Sequence, residues 1–575
     1  MKKVFLTIII LGFSSLLSIP SFAQITKLKD IVANGPNGRV PQDGFSSFVA
    51  ISENIAVVGA SKHDFNAYGT DSLNDAGAAY VFYKDEGGIN NWGLIKILTG
   101  LGVNGRVSYD NFGISGAIDG DIIVIGAIEQ DYDENGVNNK SGAGAAYVFQ
   151  KDKGGTNNWG IVKKLVGKGL NGRNNEDFFG ISVGVSNNTI VVGARDHDFD
   201  ANGNNNINNA GAAFIYQKDE GGLNNWGQVK KIVANGTNSR NKDDNFGQRV
   251  AIDEDIIVVG ATSHDFDENG LNDVSNAGAA FIYQKDQGGA NNWGLVKKVV
   301  GGSTSGRVIS EFFGDAISIS RNTLVIGAQG QTFDTTGLNS LSNAGAAYVF
   351  SKNEGGVNNW GLTKMLIGTG VNGRNASDRF GKSVSISDNV IAVGSHHGYD
   401  DNGTNYITNA GAVFIFTRNE GGANNWGLTT KIVGSGTKGR NFNDVFGSRI
   451  AASGSLLFIG IGGQDFDENG NDSLFNAGKV SAYYINPTVT SAKNTQALKA
   501  IRISSYKKNV ILNFMQNGHY EIHIRDLLGR NLKTKNVSIE VGSIEKISLE
   551  GIAQGYYIVT VKDDKHFQSS KVFLY

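Results

Sequence analysis

The chain has 575 residues, with 52 basic side chains against 54 acidic ones and no cysteine. That near-neutral balance excludes the basic face on which a dedicated nucleic-acid binder depends, and the missing cysteine excludes disulfide staples, thiol nucleophiles, thiolate metal sites and a lipid-modified cysteine. Seventy-nine glycines, four prolines and 10% aromatics suit many tight turns between short strands, and 40% apolar residues is the share of a globular chain, not a disordered one.

In chain order, Lys2 and Lys3 precede an apolar run from Val4 to Ile19 and the small-residue site Ser21-Phe22-Ala23. This reads as a signal peptide over residues 1–23. The run falls short of the ~20 residues a bilayer span needs, and no later segment is long and apolar enough, so no transmembrane segment is expected after cleavage. A unit then recurs seven times, headed by Phe45, Phe112, Phe179, Phe246, Phe313, Phe380 and Phe446, each followed by Gly except where Ser46 stands. Ala-Gly pairs keep the same step from Ala76 to Ala477, and six units carry a Trp, from Trp92 to Trp426.

Within the unit at Phe112, residues 115–118, 122–125, 145–149 and 160–165 read as four β-strands, with no helical period. Seven four-stranded units predict an all-β, seven-bladed β-propeller over residues 24–485. The register also predicts the closure. Leu28 lies one unit before Ile95 and Arg39 one unit before Arg106, so the mature chain opens on a lone fourth strand, while the last unit stops after three. A linker over 486–497 and a small β-sandwich over 498–575 complete the expected organisation, with strands at 501–504, 510–514, 520–525, 537–541 and 556–561.

The pattern Phe179-Gly180, Val191-Val192-Gly193-Ala194 and Ala210 to Phe214 resembles the FG-GAP repeats of integrin α-subunit propellers and of a bacterial group of FG-GAP proteins. The resemblance covers residues 25–485 and implies the propeller fold; propellers host many functions, so it does not imply one activity. Tyr520 to Asp526, Gly529-Arg530, Gly555 to Val559 and Lys571-Val572-Phe573 resemble the C-terminal sorting domain of Bacteroidetes type IX secretion cargo. That likeness implies recognition by an export machinery and a secreted or outer-surface location; an ordinary appended binding domain is the alternative.

Between the second and third strands, Asp131-x-Asp133-x-Asn135-Gly recurs as Asp198-x-Asp200-x-Asn202-Gly, Asp265-x-Asp267-x-Asn269-Gly and Asp465-x-Asp467-x-Asn469-Gly. Oxygen side chains at alternate positions before a glycine suit weak Ca²⁺ binding, with Asp273 as a further ligand in one copy. No glutamate follows at the twelfth position, and the integrin calcium loop lies in a different connection, so that role does not transfer by position. Polar hairpin turns are the alternative. Strand counting puts these loops on the same face as the blade-to-blade connections. Each connection carries an arginine (Arg39, Arg106, Arg173, Arg240, Arg307, Arg374, Arg440) and an acid two residues before the Phe, expected to pair and order their own loop. The opposite face carries the Trp hairpins, read as packing anchors with satisfied N–H groups. His63, His197, His264 and the His396-His397 pair recur with the loops and are read as parts of them. No cluster of nucleophile, base and orienting group breaks the repeat; Arg195 and Asp315 are departures that do not assemble into one. The expectation is a non-enzymatic protein that binds an extracellular protein or polysaccharide, with a polysaccharide hydrolase or a structural surface-layer component as alternatives.

Overall fold

The computed structural model describes residues 24–486 apart from 303 and 305, and residues 501–574 apart from 507, 515–517, 527–529, 541–542, 554 and 563–566. The expected signal peptide and nearly all of the linker lie outside the described residues. The chain divides into two compact units between Thr488 and Val489.

The first unit is seven four-stranded antiparallel sheets, six of them formed from strands consecutive in sequence. The blade at Phe112 is representative: Phe112–Asp119, Ile122–Ala127, Ala145–Gln150 and Gly160–Leu165. The Phe itself opens the innermost strand, three residues earlier than the apolar pattern suggests, because a bulge separates it from Ser115. The seventh sheet has the order Gln24–Ile31, Lys479–Asn486, Leu456–Ile461, Phe446–Ser453. The N-terminal strand is therefore the outer strand of the last blade, with Gln24 facing Asn486 and Ile31 facing Val480, and the ring closes as the register predicts.

The cores lie between blades. Val57, Ala79 and Val81 of one blade pack with Ile123, Ile125, Tyr147 and Trp159 of the next, so the second strand is buried along its whole length, as in Ile122–Ala127. Blades approach at glycines. Gly144 has φ +82°, and a Cβ there would lie 2.6 Å from the amide nitrogen of Phe179 in the next blade; a Cβ on Gly126 would overlap the Gly180 carbonyl oxygen. The Phe-Gly and Gly-Ala motifs are thus two sides of one backbone contact, and Gly144 pairs with Phe179 as a parallel bridge that recurs at five further seams. At the remaining seam Ser46 replaces the glycine. It is buried, its φ is +76°, and its hydroxyl has no partner.

The second unit holds two sheets. One is Ile501–Tyr506, Asn509–Phe514 and Ile544–Ser548; the other has the order Asn531–Ile539, Gly518–Arg525, Gly555–Lys562, Phe567–Leu574. Tyr520, Ile522 and Ile524 alternate inward and join Val510, Leu512, Phe514, Val559 and Val561 in one core. The strand expected at 537–541 instead runs Asn531–Ile539, and its polar, exposed stretch Lys533 to Asn536 hides the start from a hydrophobicity pattern.

Gly126→Ala is expected to cost about 3 kcal/mol or more through overpacking against the Gly180 carbonyl. Ser46→Gly is expected to stabilise by about 1 kcal/mol, by relieving a left-handed residue and an orphaned hydroxyl. Denaturant unfolding of both variants checks the two signs.

Candidate functional site

In the acidic loops the carboxylates act on the loop itself. Asp133 Oδ1 accepts the N–H groups of Asn135 at 2.9 Å and Val137 at 3.0 Å, and its Oδ2 accepts the Asn138 amide. Asp200, Asp267 and Asp467 repeat this with Asn202, Asn269 and Asn469, each at 2.9 Å. The third residue of the motif therefore offers its N–H to the aspartate. These donors hold the Asp267 carboxyl down at about 2. The first-position acids Asp131, Asp198, Asp265 and Asp465 each accept a backbone N–H eleven residues on, at 2.7–2.9 Å. Asp273 is exposed and contributes its backbone, in a bridge with Phe266. The same turn forms where Thr332 or Gly398 takes the first position: Leu341 N–H reaches Thr332 O at 2.9 Å and Ile407 N–H reaches Gly398 O at 2.8 Å, against 2.8 Å for Lys140 and Asp131. Among the described residues no three acidic or histidine side chains converge. The donor set forms an Asx-type turn, in which Oδ1 of each first-position acid and of each third-position acid already accepts a backbone N–H.

The arginines do not pair with the acids of their own connection. Arg173 donates Nη2 to the carbonyl of Asp131 and Nη1 to that of Asn138 at 2.7 Å, both in the preceding blade's loop. The same reach recurs from Arg39 to Asp465, Arg106 to Asp64, Arg240 to Asp198 and Arg440 to Gly398, and from Arg374 to Thr332 at 2.6 Å. Two residues before the arginine, Asn171 donates to Gly203 O, 3.1 Å away in the following blade's loop. The arginine thus stitches every connection to the preceding loop, and an asparagine two residues before it reaches the following loop in five of the seven, a role the composition of a single unit could not disclose.

The acids are buried instead. Asp43, Asp110, Asp177, Asp244, Glu311, Asp378 and Asp444 are at most 6% exposed. In four blades each faces a histidine: Asp43 with His63 at 3.0 Å, Asp378 with His397 at 2.9 Å, and the Asp177–His197 and Asp244–His264 atoms 3.0 Å apart. In the other three a glutamine takes that place, Gln130 donating to Asp110 at 2.9 Å, Gln331 to Glu311 at 3.0 Å and Gln464 to Asp444 at 3.2 Å. Burial with no cationic partner in hydrogen-bond reach pushes Asp110 up to about 7 and Asp444 up to about 6.

On the opposite face the tryptophans are at most 1% exposed and pack, as expected. Trp159 donates to Tyr83 Oη at 3.1 Å, but the indole N–H groups of Trp92, Trp293, Trp360 and Trp426 find no protein acceptor. The seams here are held by lysines: Lys96 donates to Asn158 Oδ1 at 3.0 Å, Lys364 to Asn425 at 2.8 Å, and Lys29 closes the ring on Asn91 at 2.7 Å.

One region breaks the symmetry. The channel encloses a cavity of about 300 Å³ lined by the innermost strands of all seven blades. Two positions after each Phe, the first six blades contribute Ser47, Ile114, Ile181, Gln248, Asp315 and Lys382 to the lining, apolar on one arc and charged on the other. At the next position, Ser115, Ser182 and Ser383 bind the next blade's Gly carbonyl at 2.6–3.1 Å, while Arg249 and Arg449 replace them in blades four and seven. Asp315 accepts from Gln329 at 2.5 Å and from Lys382 at 3.0 Å, with Arg249 3.7 Å away. By its spacing alone Asp315 is a departure from the repeat with no partner nearby in sequence. It assembles with Arg249 and Lys382, which lie in the neighbouring blades on either side, because each stands near the same point of successive units.

These seven sheets, with the last one shared by both ends of the unit, define a closed β-propeller. The FG-GAP repeat model matches residues 36–82, 104–149, 159–216, 226–283, 305–350 and 372–416, over half of the chain, and the chain belongs to that family. A secretion system C-terminal sorting domain matches residues 505–574, which makes this a protein of the secreted or outer-surface class that engages the type IX secretion machinery. Among solved structures, the Neurospora crassa Pan2 WD40 domain aligns over 81% of this chain and 96% of its own, at 9% identity and a TM-score of 0.39; the propeller rests on the sheet order, not on that loose likeness. No curated protein matches.

Because Asp110 keeps its proton in the folded chain to about pH 7 and loses it near pH 4 once unfolded, its contribution to stability is present below pH 4 and lost as pH rises through 7. Relative to Asp110→Asn, the wild-type chain is expected to lose on the order of 3 kcal/mol between pH 4 and 8, measured by urea unfolding at several pH values.

Proposed function

We propose that this protein is a non-enzymatic binding protein that presents the loop face of its propeller to an extracellular protein or polysaccharide. The observation that carries the reading is a variable set of tips, apolar in three blades and polar in four, on a constant frame. The residue after the loop glycine is Val137, Leu271 or Leu338 in three blades, exposed by 53%, 72% and 84%, and Thr70, Asn204, Thr404 or Asn471 in the others. Beside them Val103, Leu170 and Val371 are exposed by 64–71%. Every tip stands on an Asx turn stitched to its neighbours, so the surface is preorganised and little ordering entropy opposes association. Exposed apolar side chains gathered on one rigid face mark a contact surface.

Hydrolysis of a polysaccharide receives less support. Glycosidases of the common type need two carboxyl groups flanking the bond, and the channel lining offers one, Asp315, already held by Lys382 and Gln329. Calcium is proposed to add little, since the loops owe their shape to protein hydrogen bonds.

Two measurements test the reading. At 5 mM Ca²⁺, four loops with dissociation constants near 10⁻³–10⁻⁴ M would each add about 1–2 kcal/mol; the expected result is an unfolding midpoint equal in calcium and in chelator. Retention of the chain on immobilised extracellular proteins and insoluble polysaccharides is expected for at least one of them, without release of reducing ends, and is expected to fall about tenfold or more in a Val103→Asp, Leu271→Asp, Leu338→Asp variant. Reducing ends released by the wild-type chain would overturn the non-enzymatic reading.

A further inference from the structure

The channel differs from every other part of the ring in breaking the repeat. A side chain that builds the ring is used in most blades, as the arginine stitch and the seam glycines are. Asp315 and Lys382 are each used once and an arginine only twice, at Arg249 and Arg449, all on one arc of the lining. The seams do not need charge here: three blades meet the same need with a serine hydroxyl on the next blade's carbonyl, and Arg449 meets it at the closing seam with Nε alone, on Ser47 O.

The charges on that arc do not cancel. Asp315 is the one acid in the lining, and it is shared between Lys382 and Arg249. Arg449 donates Nε to Ser47 O and Nη1 to Ser448 O, each at 2.8 Å, and its Nη2 has no protein acceptor among the described residues. Burial and the neighbouring Arg249 guanidinium depress Arg449 to about 10, a sign that two like charges share a confined space. Three cations against one acid leave a surplus of two positive charges, with guanidinium N–H groups facing the cavity. The opposite arc carries Ile114 and Ile181, half-buried and facing the same space.

We propose that the central channel is a binding site for a small oxyanion on an apolar body, its carboxylate, sulfate or phosphate group held by Arg449, Arg249 and Lys382 and its aryl or alkyl part lying against Ile114 and Ile181. Guanidinium groups bind planar and tetrahedral oxyanions through paired, charge-assisted N–H donors, and a cavity of about 300 Å³ suits a ligand of roughly one ring. Asp315 competes with the anion for Lys382 and Arg249, so it sets the affinity from the opposite direction. This site is separate from the loop face, and its failure would leave the loop-face reading standing.

The test is thermal unfolding of the full chain with phenyl phosphate or inorganic phosphate, with chloride balancing the ionic strength. The midpoint is expected to rise saturably with both, phenyl phosphate half-saturating at a concentration about threefold or more lower. Lys382→Gln, which removes a partly exposed side chain with one ion-pair partner, is expected to weaken binding about fivefold, and Asp315→Asn to tighten it about threefold. A wild-type midpoint that follows ionic strength alone overturns the site, as do variants that respond as the wild type does. Equal affinity for the two probes overturns the part assigned to Ile114 and Ile181.

Discussion

Backbone contact between neighbouring blades is the constraint on which the rest of this molecule depends. At each of six seams the Gly of an Ala-Gly pair lies against the Phe of the next blade, with a parallel bridge between them. The Gly of the Gly-Ala motif lies against the carbonyl of the next Phe-Gly. A methyl group at either place has no room. Close approach then brings the second and third strands of each blade under cover on both faces, and the hydrophobic core becomes a series of inter-blade layers. The repeated Phe packs edge-on against the aromatic residues of the third strand, as Phe112 does with Tyr147 at 5.4 Å.

Polar groups reinforce the same seams at two levels. On the loop face the arginine reaches back to one blade's loop and the asparagine forward to the next. On the opposite face a lysine reaches the hairpin asparagine of the following blade. These are charge-assisted bonds to carbonyl oxygens, worth about 1.5–3 kcal/mol when shielded and less when exposed. Their value lies in repetition and in fixing loop geometry, which leaves the loop tips free to vary. Symmetry of use separates the roles: what appears in nearly every blade builds the ring, and what departs from the repeat, in the channel, is the part proposed to hold a ligand.

The repeat, the strand count and the closing N-terminal strand were legible in the sequence, because a fixed step places every Phe, Gly and Trp in the same environment and leaves strands missing only at the ends. The partners of the connection residues were not. Arg173 and Asp177 are near in sequence, but the arginine bonds across the seam to Asp131, 42 residues away, while Asp177 turns inward to His197. Local spacing favoured the wrong pairing. The Asp-x-Asp-x-Asn-Gly motif shows a related limit: alternate oxygen side chains suit both a cation and an Asx turn, and the backbone N–H groups that close the turn on Asp133 and Asp267 are not visible in the spacing. The channel cluster was hidden because Asp315, Lys382 and Arg449 come together only when whole units are superposed.

A closed ring of backbone seams, completed by the strand Gln24–Ile31, holds the propeller together. Deleting residues 24–34 tests it most directly, with unfolding by denaturant followed before and after addition of a synthetic peptide of those residues. The shortened chain is predicted to unfold at a clearly lower denaturant concentration, its Lys479–Asn486 edge left open, and the peptide to restore the midpoint. An unchanged midpoint without the strand would contradict the account.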